Sequence, residues 1–191
     1  WSMKELPKLA GFVPWRIKAY DTLAYMSAYF GQELYRHEHN AEVRLFTSTD
    51  GYTWTPLSDL PQCTEGSASE TEFEFDDEGN LWGTIRLEGK GAFLFYADKD
   101  KLHEWELNWL DKKYDSALMF KHEGEIYLIS RRNLDGNFNK FNWLPEKIGN
   151  KLNLFRYSVT EKTTALYWLN QETKEMEHVL DFPSTGDTAF P

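Results

Sequence analysis

The sequence predicts an all-β fold, a β-propeller built from four-stranded antiparallel blades, and two observations predict it. Aromatic residues make up 16% of the 191 residues, and they fall in short alternating runs between Gly, Asp and Asn clusters, a pattern typical of strands. The chain also repeats itself at an offset of about 45 residues, which is the length of one propeller blade.

The repeat is clearest between residues 70–86 and 115–131. Glu70 matches Asp115 at the start of the two copies, Arg86 matches Arg131 at their ends, and a Phe and a Gly match between them. Each copy predicts a strand, a tight turn containing Gly and a second strand, which together make a β-hairpin. An apolar strand, a polar turn and another short strand follow each hairpin, so that every repeat contains four strands.

We expect one propeller domain over residues 1–191, with blades at roughly 15–60, 69–110 and 114–182 and a further blade from 186. The third blade contains an insertion from Asn133 to about Ser158, and its Gly, Asn and Pro residues predict a long loop. Propellers usually close with four to eight blades. We therefore expect the chain to be a partial propeller.

Charge and composition exclude several function classes. The formal net charge is −10, which argues against nucleic acid as a partner because binding to phosphates requires a basic surface. No apolar run approaches the roughly 18 residues that a membrane span needs, and neither a phosphate-binding loop nor a dinucleotide fingerprint occurs, so that no cofactor is predicted. The single Cys63 cannot form an intramolecular disulfide. The compartment is left open.

One turn carries a resemblance to a known family. The segment Ser48-Thr49-Asp50-Gly51-Tyr52-Thr53-Trp54 resembles the Asp-box of sialidase-like propellers, in which the Asp caps the turn and the Trp packs between blades. The resemblance implies this fold and a relation to glycosidases. The motif by which true sialidases are recognised is absent, because Lys18 follows Arg16-Ile17 where that motif has Pro. Cleavage of sialic acid is therefore not implied.

Hairpin geometry predicts a site at one mouth of the central channel. The start of the first strand and the end of the second lie side by side in an antiparallel hairpin, and the first strand of each blade lines the axis. The predicted rim holds three acids as catalytic candidates and three arginines as binders of a carbohydrate or another small anionic ligand: Glu70, Asp115, Asp187, Arg16, Arg86 and Arg131. Paired carboxylates suit glycoside hydrolysis.

Other interpretations of the same residues stay open. Each acid and its arginine can instead form a cross-strand ion pair that recurs because the blade recurs, and the propeller can bind a glycan or a protein without catalysis. Trp15, Tyr114 and Phe190 are candidates for stacking on a sugar. No metal site is predicted, since His37 and His39 lack an identifiable third ligand. The sequence does not assign Glu72.

Overall fold

The computed structural model describes residues 6, 9–30, 42–65 and 68–183, which form three four-stranded antiparallel sheets. In each sheet the strands pair in chain order, so every sheet is a meander. The prediction of four-stranded antiparallel units is confirmed. The predicted start of a fourth blade at 186 lies outside the described residues. No described helix is long and apolar enough to cross a bilayer.

The strand bounds are as follows. The first sheet contains β1 Phe12–Tyr20, β2 Leu23–Phe30, β3 Val43–Ser48 and β4 Thr55–Pro56. The second contains β5 Ala68–Phe75, β6 Leu81–Leu87, β7 Ala92–Ala97 and β8 Glu106–Leu110. The third contains β9 Asp115–His122, β10 Glu125–Asn133, β11 Lys162–Asn170 and β12 Glu175–Asp181.

The two predicted hairpins form at the expected turns. Between β9 and β10, Glu123 and Gly124 both have positive φ angles of 52° and 83°, as a two-residue turn requires to match the twist of the strands. Between β5 and β6, the side chain of Asp76 accepts hydrogen bonds from the backbone of Asn80 at 2.8 Å and from the indole of Trp82 at 3.1 Å. Local turn chemistry thus sets the register of each repeat.

The second sheet is buried on both faces, because the first sheet packs on one face and the third on the other. Phe95 belongs to one apolar cluster with Leu45 of the first sheet. Leu94, the next residue along the chain, belongs to another cluster with Met119 of the third sheet. All four side chains are at most 2% exposed in the folded protein. Burial of this apolar surface supplies most of the force that holds the sheets together.

The turn between β3 and β4 is held by its own polar groups. The carboxylate of Asp50 accepts hydrogen bonds from the backbone N–H groups of Thr53 at 2.6 Å and Tyr52 at 2.8 Å, and these bonds lower the pKa of Asp50. Trp54 is 5% exposed and donates from its indole to the carbonyl of Gly51 at 3.1 Å. The turn thereby positions an indole ring in the core of the first sheet.

A ladder of ion pairs and hydrogen bonds joins the first strands of the three sheets. β5 lies beside both β1 and β9, and the fully buried carboxylate of Glu72 on β5 binds Arg16 and Lys18 of β1. Burial raises the pKa of Glu72, and the charges of Lys18 and Arg16 oppose that rise. The two cations also reach β9, where they donate to the carbonyls of Ala117 and Met119. Glu72 therefore lies where the first strands of the three sheets meet.

The expectation of a long loop in the third-blade insertion is wrong, because α1 forms at Glu146–Val159, directly after Pro145. Its buried residues are Gly149, Asn153 and Tyr157, none of which is an aliphatic core residue. Several of its apolar side chains face solvent instead: Ile148, Leu152, Leu154, Phe155 and Val159. The usual sequence signal of a packed helix, an apolar stripe on the buried face, is therefore missing.

Replacement of Glu72 by Gln is expected to lower the free energy of unfolding by about 3 kcal/mol, because Arg16 and Lys18 lose their buried counter-charge. The matched control is Glu74→Gln on the same strand, whose partly exposed carboxylate pairs with Lys18 at 2.7 Å and should contribute about 1 kcal/mol or less. Urea unfolding of both variants measures the difference. Equal losses in the two variants would contradict the ladder described above.

Candidate functional site

The first strand of each sheet (β1, β5 and β9), called the inner strand below, carries an extra residue near its start. The register with the neighbouring strand shifts between Pro14 and Arg16 in β1, and between Ala68 and Thr71 in β5. In β9 the shift lies opposite Ile129–Arg131 of β10, and Ser116 there has a φ of 52°. Such β-bulges bend a strand and redirect its side chains. The same irregularity thus occurs at the same end of all three sheets.

Two of the predicted acids bind one guanidinium group. Arg86 Nη1 lies 2.5 Å from Glu70 Oε1, and Arg86 Nε lies 3.0 Å from Asp115 Oδ1. A third carboxylate, Glu88, lies 2.8 Å from Arg86 Nη2. Burial alone would lower the pKa of Arg86, but Asp115, Glu88 and Glu70 raise it above its ordinary value. Arg86 therefore connects the second sheet, which carries it, to the third.

Asp115 lies among three cations. Besides Arg86, its carboxylate lies 3.4 Å from Lys113 Nζ and 3.8 Å from Arg131 Nη1. Asp115 is only 2% exposed. Burial lowers the pKa of Lys113, whose ammonium group also donates to the carbonyl of Leu87 at 2.7 Å. A buried carboxylate needs such partners, because an isolated charge away from water is very costly.

Glu70 has a different environment from Asp115. Burial raises the pKa of Glu70, the charge of Arg86 lowers it, and the nearby Asp115 raises it, with a net rise above the ordinary value. Its Oε2 atom is buried, and the backbone N–H of Ser116 opposes the rise in the pKa of Glu70. The two neighbouring carboxyl groups thus differ in their charged neighbours: Glu70 pairs with Arg86, and Asp115 lies near Arg86, Lys113 and Arg131.

The insertion adds a residue that the sequence did not predict. Tyr157 of α1 lies beside Asp115 and Arg131, and burial together with the charge of Asp115 raises the pKa of its hydroxyl, against the effect of Arg131. Lys113, also missed, lies 5.2 Å from the ring centre of Phe138 and 6.0 Å from that of Tyr157. The sequence signal that could have indicated this helix was Pro145, because Pro is frequent at helix starts.

The structure brings four of the six predicted site residues together: Glu70, Arg86, Asp115 and Arg131. Arg16 is not part of this group and pairs with Glu72 of β5 instead. Asp187, Phe190, His37 and His39 lie outside the described residues. Of the aromatic candidates, Tyr114 is buried in the core between the second and third sheets, and Trp15 is partly buried against the first cluster. In the described ranges, no three His, Cys, Asp or Glu side chains cluster as metal ligands.

Replacement of Arg86 by Met should lower the free energy of unfolding by about 3–5 kcal/mol, because Glu70, Glu88 and Asp115 lose the cation that they share. Lys101→Met serves as the control, since Lys101 forms an exposed pair with Glu104 and should change stability by less than about 1 kcal/mol. Chemical denaturation of both variants tests this. A loss for Arg86→Met as small as that of the control would rule out a shared buried cation.

Comparison with known proteins supports the fold. No protein-family model matches the chain, and no curated protein matches it in sequence. Among solved structures, a protein of unknown function from Dyadobacter fermentans has a TM-score of 0.57 at 11% identity, over 90% of this chain and 54% of its own. A family 117 glycoside hydrolase from Zobellia galactanivorans has a TM-score of 0.55 at 10% identity, over 88% and 56%.

A family 43 glycoside hydrolase from Bacillus licheniformis is also similar, with a TM-score of 0.51 at 10% identity over 85% of this chain and 28% of its own. The neighbours are β-propellers, and at such identities the likeness shows the fold alone. The chain shares the β-propeller fold of these solved structures. It spans 54% and 56% of the lengths of the first two structures named above.

Proposed function

We propose that the chain belongs to a carbohydrate-active hydrolase whose site lies at the bulged ends of β5 and β9, with Glu70 as general acid and Asp115 as base or nucleophile. The observation that carries the proposal is the pair of carboxyl groups, Glu70 and Asp115, that share the guanidinium of Arg86, with the pKa of Glu70 raised. A general acid must hold its proton near the working pH and present it to the leaving group. The glycoside hydrolases among the structural neighbours agree with this class.

The division of roles follows from the surroundings of the two carboxyl groups. Glu70 is partly exposed and shares Arg86 with its neighbour, so burial and the charge of Asp115 together favour its protonated form. Asp115 is surrounded by Lys113, Arg86 and Arg131, an arrangement that stabilises a negative charge. Glycoside hydrolysis by two carboxyl groups needs one of them as the acid and the other as the base or nucleophile.

The remaining predicted residues complete the proposal. Arg131 would bind an anionic group on the sugar, because a guanidinium can form two parallel hydrogen bonds with a carboxylate or a sulfate. Arg86, expected from the sequence to bind the ligand, is engaged by Glu70, Glu88 and Asp115 and would orient the two acids instead. Asp187 is retained as a third acid candidate and Arg16 as a further anion binder, on the repeat alone. The closer relation to sialidase-like propellers rests on the turn at Asp50 and its buried Trp54.

A second function, glycan or protein binding without catalysis, is favoured by one observation. Asp115 is 2% exposed and has a charged partner on three sides, which suits an ion pair that joins two sheets. In that case the mouth of the channel would recognise its ligand through the arginines, and the acids would only orient them. The two functions differ in the effect of isosteric acid variants on turnover.

Glu70→Gln and Asp115→Asn should each reduce hydrolysis of aryl glycosides by the full-length protein about 10²–10⁴-fold, because each removes one proton-transfer or nucleophilic group. Glu74→Gln is the control, since it changes an ion-paired acid on the same strand as Glu70 and should leave the rate unchanged. A screen against a panel of aryl glycosides supplies the substrate. Turnover that survives both acid changes would contradict the assigned site and favour the binding function.

The pH dependence of turnover should follow the raised pKa of Glu70. A general acid acts only while protonated, so kcat/KM is expected to fall as the pH rises through that value. The folded state also binds this proton more tightly than the unfolded chain does, so protonation of Glu70 stabilises the fold at low pH. That contribution is lost as the pH rises through the raised pKa of Glu70. A pH–rate profile measures the first effect, and an alkaline limb retained in Glu70→Gln would assign the acid to another residue.

A further inference from the structure

The exposed face of α1 carries a continuous stripe of apolar residues. Four of them follow one another at spacings of four, three and four residues: Ile148, Leu152, Phe155 and Val159. These spacings place all four on one side of an α-helix, because a turn contains 3.6 residues. The four residues, called the apolar stripe below, are between 38% and 68% exposed. The same spacing forms the seam along which two helices pack against each other.

The opposite face fixes the helix in this orientation. Gly149 lies so close to the chain before the helix that a Cβ atom on it would be 2.7 Å from the carbonyl oxygen of Phe141. Asn153 is fully buried, accepts a hydrogen bond from the backbone of Phe141 at 3.1 Å and donates one to Asn142 Oδ1 at 3.2 Å. The helix cannot rotate to bury its apolar stripe without breaking these bonds, and a buried polar group left unpaired is costly.

The apolar stripe is complementary to itself in an antiparallel pair of helices. Its spacings read the same in both directions, so a two-fold axis through its midpoint aligns the stripes of two copies. This axis places Ile148 of one copy against Val159 of the other. It also places Leu152 against Phe155 at the centre of the pair. A surface that packs on itself in this way forms an isologous interface, the commonest kind in soluble oligomers.

Charges at the two ends of the apolar stripe fit the same arrangement. Lys147 lies one residue before the stripe and Glu161 two residues after it. Both are exposed, and neither forms an ion pair with another described residue. With the stripes aligned antiparallel, Lys147 of each copy comes to about the level of Glu161 of the other. Opposite charges at matching positions favour this alignment over other registers.

The exposed apolar surface is large enough for a dimer. Leu154 is exposed beside the apolar stripe, and Trp143, two residues before Pro145, is 78% exposed. Together with the stripe they present roughly 700 Å² per copy, given the size of large apolar and aromatic side chains. Two copies would bury up to about 1,400 Å² in total, within the range of about 1,200–2,000 Å² for stable interfaces. Monomeric proteins rarely leave so large an apolar patch exposed.

From these observations we propose that α1 is a homodimerisation surface. The helices of two copies of this chain pack antiparallel about a two-fold axis, with their apolar stripes in contact and Lys147 of each copy near Glu161 of the other. This interface is additional to the site at Glu70 and Asp115. It does not depend on the hydrolase function.

Sedimentation equilibrium of the full-length protein tests the proposal. We expect a dimer with a dissociation constant of about 10 µM or less, as its interface size allows. Phe155→Glu and Ile148→Glu should each weaken the dimer at least about 100-fold, because each places charges in a desolvated apolar contact. Both residues are exposed in the single copy, so the variants should still fold. Leu60→Glu, the same kind of change at an exposed residue outside α1, should leave dimerisation unchanged.

Two results of this experiment would overturn the proposal. One is a protein that remains monomeric at about 100 µM, well above the expected dissociation constant. The other is a dimer whose stability is unaffected by both stripe variants, since the copies would then associate through another surface.

Charge-swap variants test the alignment of the two helices. Lys147→Glu and Glu161→Lys should each weaken the dimer about 3- to 10-fold, because each brings like charges to the same level. The double variant should recover the original affinity, since both ion pairs form again with their signs exchanged. Docking of the stripe on an anionic membrane or on an acidic protein would instead be weakened by Lys147→Glu and strengthened by Glu161→Lys. That pattern, or a double variant that does not recover, would contradict the proposed dimer.

Discussion

Buried carboxylates on the inner strands are the constraint on which the arrangement of the three sheets depends. Glu72 and Asp115 are almost withdrawn from water, and a charge in that position requires cations close by. In both cases a cation comes from the preceding sheet: Arg16 and Lys18 of the first sheet bind Glu72, and Arg86 of the second binds Asp115. The sheets are therefore aligned by charge as well as by the apolar surface between them.

The same constraint gives the candidate site its chemistry. Arg86 and its three carboxylates form one connected cluster, and the three carboxylates differ in exposure and in their nearest charges. Glu70 and Asp115 lie at the bulged starts of β5 and β9, and the insertion contributes Tyr157, which lies beside Asp115 and Arg131. Under the proposed function, the ion-pair network that joins the second and third sheets also holds the acid and the base.

Sequence patterns were sufficient for the parts of the structure that are local and repeated. The hairpins, their Gly-containing turns and the pairs Glu70–Arg86 and Asp115–Arg131 follow from strand alternation and register alone. Contacts between sheets did not follow, because no periodicity relates Arg86 to Asp115 or assigns Glu72 to the axis. The helix α1 escaped prediction for a separate reason: its buried face carries Gly149, Asn153 and Tyr157 in place of apolar residues.

The reach of β1 across β5 to β9 bears on the order in which the molecule folds. Each meander sheet closes over short loops, whereas the bonds from Arg16 to Ala117 and from Lys18 to Met119 join residues separated by 101 positions. Closure of a long loop costs more chain entropy than closure of a hairpin, and contacts distant in sequence slow folding. We expect the sheets to assemble first as separate hairpin units, and the axial ion pairs to form only in the last, rate-determining association.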